Sequence, residues 1–185
     1  RSGDSQLNGL GTAVFLQCHG SRIPERPFCS KVCCTQSIKS ALDLKERNPH
    51  MHIYVVYRDM RPYGLREDLY REARTKGISF VRYNFEKGLK IEPNDQEVEI
   101  GFTDTVFRKE MIIHSDLLVL ASAIVPEKEN PLSRFYKIAQ NEDGFFMEAH
   151  VKLRPVDFAT DGVFVCGLAH SPKPIDESIA QAQAA

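Results

Sequence analysis

The first half of the chain alternates short apolar runs with amphipathic segments. The apolar runs read TAVFLQC at 12–18, HIYVVYRD at 52–59 and ISFVRYN at 78–84. Between them, apolar residues recur at helical spacing from Cys33 towards Pro49, and again in LREDLYREARTKG at 65–77. Such runs are typical of buried strands, and the order strand, helix, strand, helix, strand predicts a parallel sheet with right-handed crossovers.

The pattern changes at residues 85–115. Segments such as KGLKIEP and QEVEIGF alternate apolar and polar positions around the turn signal PND, which predicts a small antiparallel meander. The rest of the chain predicts a buried strand at 116–123, a helix at 132–140, a strand GVFVCG at 162–167 and a helix from Ile175. We therefore expect an α/β fold, with helices on both faces of the parallel sheet.

The charges are nearly balanced. The 185 residues carry 24 basic and 25 acidic side chains, a formal net charge of −1, so nothing global favours nucleic acid or an anionic membrane as a partner. No run approaches the roughly 18 to 20 apolar residues needed to span a bilayer. The opening RSGDSQLNGLG has no apolar signal-peptide core. We expect a cytoplasmic protein.

Four of the five cysteines lie in the stretch CHGSRIPERPFCSKVCC at 18–34. In a reducing cytosol, such a cluster is more readily explained by metal or redox chemistry than by structural disulfides. Thiolate ligands suit a [4Fe-4S] cluster and an all-cysteine zinc site alike. The candidate ligands are Cys18, Cys29, Cys33 and Cys34.

The spacing of these cysteines leaves the type of site open. It matches neither the paired C-x2-C knuckles of a zinc ribbon nor the ferredoxin pattern. Arg22, Arg26 and Lys31 would stabilise thiolates or a negatively charged cluster. A third interpretation is that the cysteines are small buried apolar residues that bind no metal.

The turn after the first strand lacks the glycines of a dinucleotide site. A G-x-G-x-x-G turn lets the backbone approach a pyrophosphate, whereas here the position holds QCHGSR, followed by prolines. We therefore expect no binding of a pyridine nucleotide.

Two stretches carry a family resemblance. FLQCHGSRIPERPFCSKVCC resembles the cysteine motif of the heterodisulfide reductase A-subunit family, and LRPVDFATDGVFVCGLAHSPKPIDESIAQAQAA resembles that family's flavin-binding segment. The order of DLLVLA, DGFF and LRPVD between them is similar too, so the resemblance covers nearly the whole chain.

The resemblance implies a thioredoxin-reductase-like flavoprotein core that binds FAD and is joined to iron–sulfur clusters. The partners it implies are other heterodisulfide reductase subunits, electron-transfer subunits of hydrogenase or formate dehydrogenase, and ferredoxin. Residues 1–123 would form a Rossmann-like domain that carries the cysteine motif. Residues 124–185 would form the returning part of a second, FAD-type domain.

The same resemblance points to cofactor-binding residues near the end of the chain. They are Gly167, Leu168, Ala169, His170, Lys173 and Ile175. A cation such as Lys173 beside a flavin would tune its potential. No residue is expected to act as an acid–base catalyst.

Two departures from the family pattern affect these expectations. The first FAD-binding half, with its glycine fingerprint, is not in this sequence, so we expect the chain alone to hold FAD weakly and to be inactive. In thioredoxin-reductase relatives the strand matching TDGVFVCG ends in Gly-Asp, whereas here Leu168 and Ala169 follow Gly167. The hydrogen bond of that carboxylate must be lost or replaced.

Three residues outside these sets have simpler interpretations. Cys166 lies in the apolar run VFVCG and is expected to pack in the core. Arg58 and Asp59 are expected to form a solvated pair.

The sequence favours an electron-transfer module of a flavin and iron–sulfur oxidoreductase. The competing interpretations are a docking domain stabilised by a four-cysteine zinc site, and a degenerate Rossmann domain that only packs against its neighbours.

Overall fold

A computed structural model describes residue 7 and residues 9–127 and 129–185. The chain divides into two compact units. The first unit comprises Arg1–His19 and Cys33–Ser122, and the second comprises Gly20–Val32 and Ala123–Ala185. Most of the cysteine-rich loop therefore groups with the C-terminal part of the chain.

The first unit contains a four-stranded parallel sheet and α-helices. Its first part runs β1 (Thr12–His19), α1 (Cys33–Arg47), β2 (His52–Tyr57), a 3-10 turn (Gly64–Arg66), α2 (Glu67–Thr75) and β3 (Ser79–Arg82). With β7 (Leu117–Ser122), the strand order is β3-β2-β1-β7. Phe15 of β1 pairs with Val55 on one side and with Val119 on the other. The predicted parallel sheet is confirmed.

The second sheet is the predicted antiparallel meander. It consists of β4 (Leu89–Pro93), β5 (Val98–Thr103) and β6 (Glu110–Ser115), in the order β4-β5-β6. Ile100 pairs with both Ile91 and Ile113, which sets the register across all three strands.

Alternate residues of the parallel strands face two different cores. On one side, Phe15 and Val55 pack with Ile38 of α1 and Ala73 of α2. On the other side, the following group packs together: Val14, Leu16, Val56, Tyr83, Ile100, Phe102 and Ile113. The meander thus covers the face opposite α1 and α2, where helices had been expected on both faces.

The second unit is built largely from turns. Its helices are α3 (Leu132–Phe135) and α4 (Ile175–Ala184), with a 3-10 turn at Gly167–Ala169. The predicted helix at 132–140 is shorter than expected, because Lys137 adopts a φ of +54° that ends the helical path. Ile138, Phe146, Phe158 and Val165 form the apolar core of this unit.

The predicted strand at 162–167 was wrong. GVFVCG forms no ladder, and its pairing is an isolated bridge between Phe164 and Asp157. Gly162 and Gly167 have φ values of +76° and +63°, which interrupt an extended backbone at both ends of the segment.

None of the helices formed by the described residues combines the length and the apolar character needed to cross a membrane.

Candidate functional site

Gly167 begins a compact turn that leads into α4. With its φ of +63°, this residue adopts a conformation that side-chain-bearing residues rarely take. An added Cβ would meet nothing closer than 3.9 Å, so the backbone conformation, not lack of space, favours glycine. The Gly167 amide donates to Oε1 of Gln181 at 2.9 Å, which ties the turn to α4.

The Lys173 side chain is buried in this turn. Only 8% of the residue is exposed, and its Nζ donates to Gln181 Oε1 at 2.7 Å and to His170 Nδ1 at 2.9 Å. One acceptor is a neutral amide oxygen and the other is a ring nitrogen, and no carboxylate of the described residues lies within hydrogen-bond distance of the ammonium. Burial lowers the pKa of Lys173, and the nearby positive charge of Lys31 lowers it further, while Glu177, Cys166 and Glu148 oppose the shift.

His170 links Lys173 to a carboxylate. Its Nε2 lies 2.8 Å from Glu148 Oε2, and its Nδ1 lies 2.8 Å from Gln181 Nε2. The pKa of Glu148 is lowered, first by a hydrogen bond from its own backbone amide and then by the hydrogen bond from His170, against the opposing effect of burial. We call Glu148, His170, Lys173 and Gln181 the Lys173 network.

The other residues predicted to bind the flavin lie close in sequence to His170 and Lys173. The Ala169 carbonyl accepts from the Phe146 amide at 2.9 Å. Leu168 is half exposed, and 79% of Ile175 is exposed at the start of α4. The first turn of α4 carries Asp176 and Glu177, whose charges complement the helix dipole.

The sequence interpretation missed two members of the network. Gln181 had a weak signal, since it lies on the helix that follows Lys173. Glu148 had none, because the hydrogen bond to His170 joins residues separated by 22 positions.

The cysteine loop has an unusual backbone. Cys18, Arg22 and Lys31 have φ values of +62°, +59° and +59°, in a region that costs energy for residues other than glycine. Strain of this kind clusters at functional sites, which makes the loop a candidate site independently of its thiols.

All five cysteines are thiols outside disulfides. Cys33 and Cys34 open α1, with their Sγ atoms 3.8 Å from the Ser122 carbonyl oxygen and 3.9 Å from the Asp59 carbonyl oxygen. Cys29 Sγ accepts from the Lys31 amide at 3.3 Å.

The donor chemistry suits a cluster or zinc, but the described geometry does not assemble a site. Cys18, Cys33 and Cys34 belong to the first unit and Cys29 to the second. Within the described ranges, no three His, Cys, Asp or Glu side chains are grouped so that they could hold a metal ion. No chemical step is therefore derived from metal at these cysteines.

The prediction that Cys166 packs in the core was wrong. Cys166 is exposed, because its backbone is extended and successive side chains of an extended chain point to opposite sides, so the side chain after the buried Val165 faces outward. Arg58 and Asp59 each contact further residues. The Arg58 guanidinium lies 3.4 Å from the Phe85 ring centroid, while Asp59 pairs with Arg82 at 3.3 Å and with Arg61 at 3.5 Å.

No protein-family model matches the chain. Curated proteins do match it. The A subunit of the ferredoxin:CoB-CoM heterodisulfide reductase of Methanosarcina acetivorans is 37% identical over 191 residues, covering 98% of this chain and 24% of the relative. The second iron-sulfur A subunit of the CoB-CoM heterodisulfide reductase of Methanopyrus kandleri is 38% identical over 177 residues, covering 93% of this chain and 27% of the relative.

The chain belongs to the heterodisulfide reductase A-subunit family. It spans about a quarter of the length of these relatives. A similar protein from Archaeoglobus profundus, named as like the A subunit of heterodisulfide reductase, is 39% identical over 176 residues, with 93% of this chain and 25% of that relative covered.

Solved structures relate the fold of this chain to that of flavoproteins. Thioredoxin reductase of T. acidophilum superposes with a TM-score of 0.60 at 11% identity, over 97% of this chain and 51% of that one. The flavoprotein disulfide reductase RclA of Escherichia coli gives a TM-score of 0.58 at 12% identity, over 94% of this chain and 35% of that one. These matches show that the segment has a thioredoxin-reductase-like fold.

Proposed function

We propose that the chain is an electron-transfer module of an oxidoreductase of the heterodisulfide reductase A-subunit type that works through FAD and an iron–sulfur cluster. Its family membership supports the class of reaction, and its fold is that of flavin disulfide reductases. Because the chain spans about a quarter of the length of its relatives, we propose that the activity belongs to a longer protein that carries it.

The observation that carries the flavin proposal is the buried Lys173. A buried ammonium is costly unless a negative charge or strong acceptor offsets it, and its contacts here are Gln181 and His170. An ammonium has three N–H groups, and these are the two acceptors it finds among the described residues. A flavin beside it would supply reversible two-electron chemistry, and a cation there stabilises its anionic reduced form.

The flavin-contacting set would include the six residues expected from the resemblance. Gly167, Leu168 and Ala169 would bring the backbone of the 3-10 turn close to the ring system. Lys173 would supply the positive charge, held by His170 and Gln181. Ile175 supports this arrangement as a largely exposed apolar side chain at the start of α4.

The iron–sulfur proposal rests on donor chemistry and on the names of relatives. We propose that Cys18, Cys29, Cys33 and Cys34 hold a [4Fe-4S] cluster, since four thiolates are its usual ligands. Two relatives, from Methanopyrus kandleri and Methanocaldococcus jannaschii, are named as iron-sulfur subunits. The positive φ values at Cys18 and Lys31 support a loop shaped for a ligand.

The names of relatives also suggest partners for this chain. Relatives from Methanosarcina acetivorans and Methanococcus maripaludis are named for ferredoxin and for H2 or formate. We propose other heterodisulfide reductase subunits, ferredoxin and electron-transfer subunits of hydrogenase or formate dehydrogenase as partners, in the cytoplasm. Residues 1–123 would act as the Rossmann-like domain and residues 124–185 as part of the FAD-binding domain.

Anaerobic purification of the full-length protein that carries this chain tests the proposal. Bound flavin together with iron and acid-labile sulfide is the expected result. Stoichiometric zinc without sulfide would instead indicate a docking domain stabilised by metal, and the absence of both metals and flavin would indicate a packing domain. The 185-residue chain purified alone is expected to lose its flavin, because its sequence contains no G-x-G-x-x-G turn to hold the pyrophosphate.

A further inference from the structure

The orientation of the Gln181 amide is fixed by its partners. The atom assigned as Oε1 faces both the Gly167 backbone N–H at 2.9 Å and Lys173 Nζ at 2.7 Å. Both partners can only donate, so this atom must be the oxygen. The other atom, Nε2, is therefore an NH2 donor, and it lies 2.8 Å from His170 Nδ1.

The Gln181 orientation in turn fixes the tautomer of His170. Nδ1 faces two donors, Gln181 Nε2 at 2.8 Å and Lys173 Nζ at 2.9 Å, so it must be an unprotonated acceptor. A neutral imidazole with a bare Nδ1 carries its proton on Nε2. That proton points at the Glu148 carboxylate, whose Oε2 lies 2.8 Å away.

The hydrogen bonds therefore share one direction, from Lys173 to His170 and from His170 to Glu148. We propose that these three residues form a proton outlet, which carries the proton released when reduced flavin at Lys173 is oxidised. The inference rests on the proposed function for its flavin. The tautomer rests on the hydrogen bonds alone.

The proton and electron balance is simple. Oxidation of a bound anionic reduced flavin by two equivalents of a one-electron oxidant would release two electrons to that oxidant and one proton. Lys173 takes up this proton as it gives one of its own to His170 Nδ1. His170 then gives its Nε2 proton to Glu148, which releases it to water. Exchange of the ring protons with water restores the original tautomer.

The charges around the relay suit this direction. Burial and Lys31 lower the pKa of Lys173, which eases loss of its proton to His170, while Glu177, Cys166 and Glu148 limit the shift. Glu148 has a lowered pKa, so it stays ionised and releases the transferred proton readily.

The first experiment reads the tautomer of His170 by nitrogen NMR of histidine-labelled, full-length protein. Two other histidines provide internal references. His150 Nδ1 accepts from the Lys152 and Leu153 amides at 3.2 Å, so it must be protonated on Nε2. His114 Nδ1 faces the Glu97 carboxylate at 2.8 Å, so it must be protonated on Nδ1. His170 should resemble His150, and a match to His114 would overturn the relay.

The second experiment measures proton-coupled oxidation of the flavin. Full-length protein is reduced and then mixed with ferricenium in H2O and in D2O. Glu148→Gln keeps the shape of the side chain but removes its basicity, so oxidation should slow roughly a hundredfold, with an altered solvent isotope effect and pH profile. Glu97→Gln, which alters the matched histidine–carboxylate pair, should leave the rate unchanged.

The outcomes separate the relay from the proposed function. Absence of flavin from the full-length wild-type protein would reject the proposed function, whatever the tautomer. Flavin bound normally, with an oxidation rate that Glu148→Gln does not change, would reject the relay and leave the function standing. A His170→Phe variant that keeps its flavin but loses the isotope effect would support the relay independently of Glu148.

Discussion

The Lys173 ammonium lies 2.7 Å from the side-chain oxygen of Gln181, which also accepts the Gly167 amide at 2.9 Å. One glutamine on α4 therefore holds both the charged side chain and the turn that precedes it. Because this contact fixes the position of a buried cation, it connects the fold of the second unit to its proposed chemistry.

Loss of iron should depend on which cysteine is replaced. Serine at Cys18, Cys29, Cys33 or Cys34 should lower the iron and acid-labile sulfide of the full-length protein, because serine is a poor ligand for iron–sulfur clusters. Cys166→Ser is the matched control and should keep both. Equal iron contents in all five variants would show that these four cysteines do not bind the cluster.

Reduced nicotinamide cofactors should not bind to the 185-residue chain. After β1 the chain runs through residues 20–32 before α1 begins at Cys33, so helix amides do not directly follow the strand as a pyrophosphate site requires. A fluorescence titration should show no saturation. An affinity in the micromolar range would contradict this interpretation of the turn.

Burial of Lys173 should appear in the pH dependence of stability. Its pKa is lowered from 10.5 in the folded chain, so between the two pKa values the unfolded state binds more protons and the free energy of unfolding rises with pH. Below the folded pKa the full cost of the buried charge is present. Lys173→Met should therefore be more stable than wild type at pH 7.

Urea denaturation of both proteins at pH 7 and pH 10 checks this sign. The advantage of the methionine variant should shrink at the higher pH, because folded Lys173 loses its proton before the unfolded lysine does and no longer buries a charge. If the two proteins differ in free energy of unfolding by the same amount at both pH values, folding does not shift the pKa of Lys173.

The largest stability losses are expected in the core between the parallel sheet and the helices. Phe15 is 1% exposed, and Phe15→Ala should lower the free energy of unfolding by roughly 3 to 5 kcal/mol. Phe107 is 72% exposed, and Phe107→Ala should change it by about 0.5 kcal/mol or less. Similar effects of the two substitutions in urea denaturation would contradict the assigned core.

The first unit could be predicted well because its elements follow local patterns. β1, β2 and β3 are continuous apolar runs, and α1 carries Ile38 and Ala41 at helical spacing. These signals require no knowledge of distant contacts. The meander was equally visible as alternating polar and apolar positions, although its packing against the parallel sheet was not.

The second unit was harder to predict because backbone torsions and distant contacts dominate it. GVFVCG has the composition of a strand, yet Gly162 and Gly167 bend away from extended geometry. The sequence pattern around Lys173 did not indicate that its side chain is buried. The groups that accept its hydrogen bonds lie in the preceding turn and in the following helix. Glu148 could be assigned only once the chain had folded His170 against it.

The flavin midpoint potential of the full-length protein is the most direct test of the claim that residues 167–175 close over a flavin, with Lys173 as its cation. Lys173→Met should lower the potential, because loss of the cation disfavours the anionic reduced form. A charge-assisted hydrogen bond contributes about 1.5 to 3 kcal/mol, which corresponds to a shift of roughly 30 to 65 mV for a two-electron couple. Lys76→Met, which removes an exposed lysine paired with Glu72, should leave the potential unchanged, whereas an unchanged potential in Lys173→Met would contradict the account.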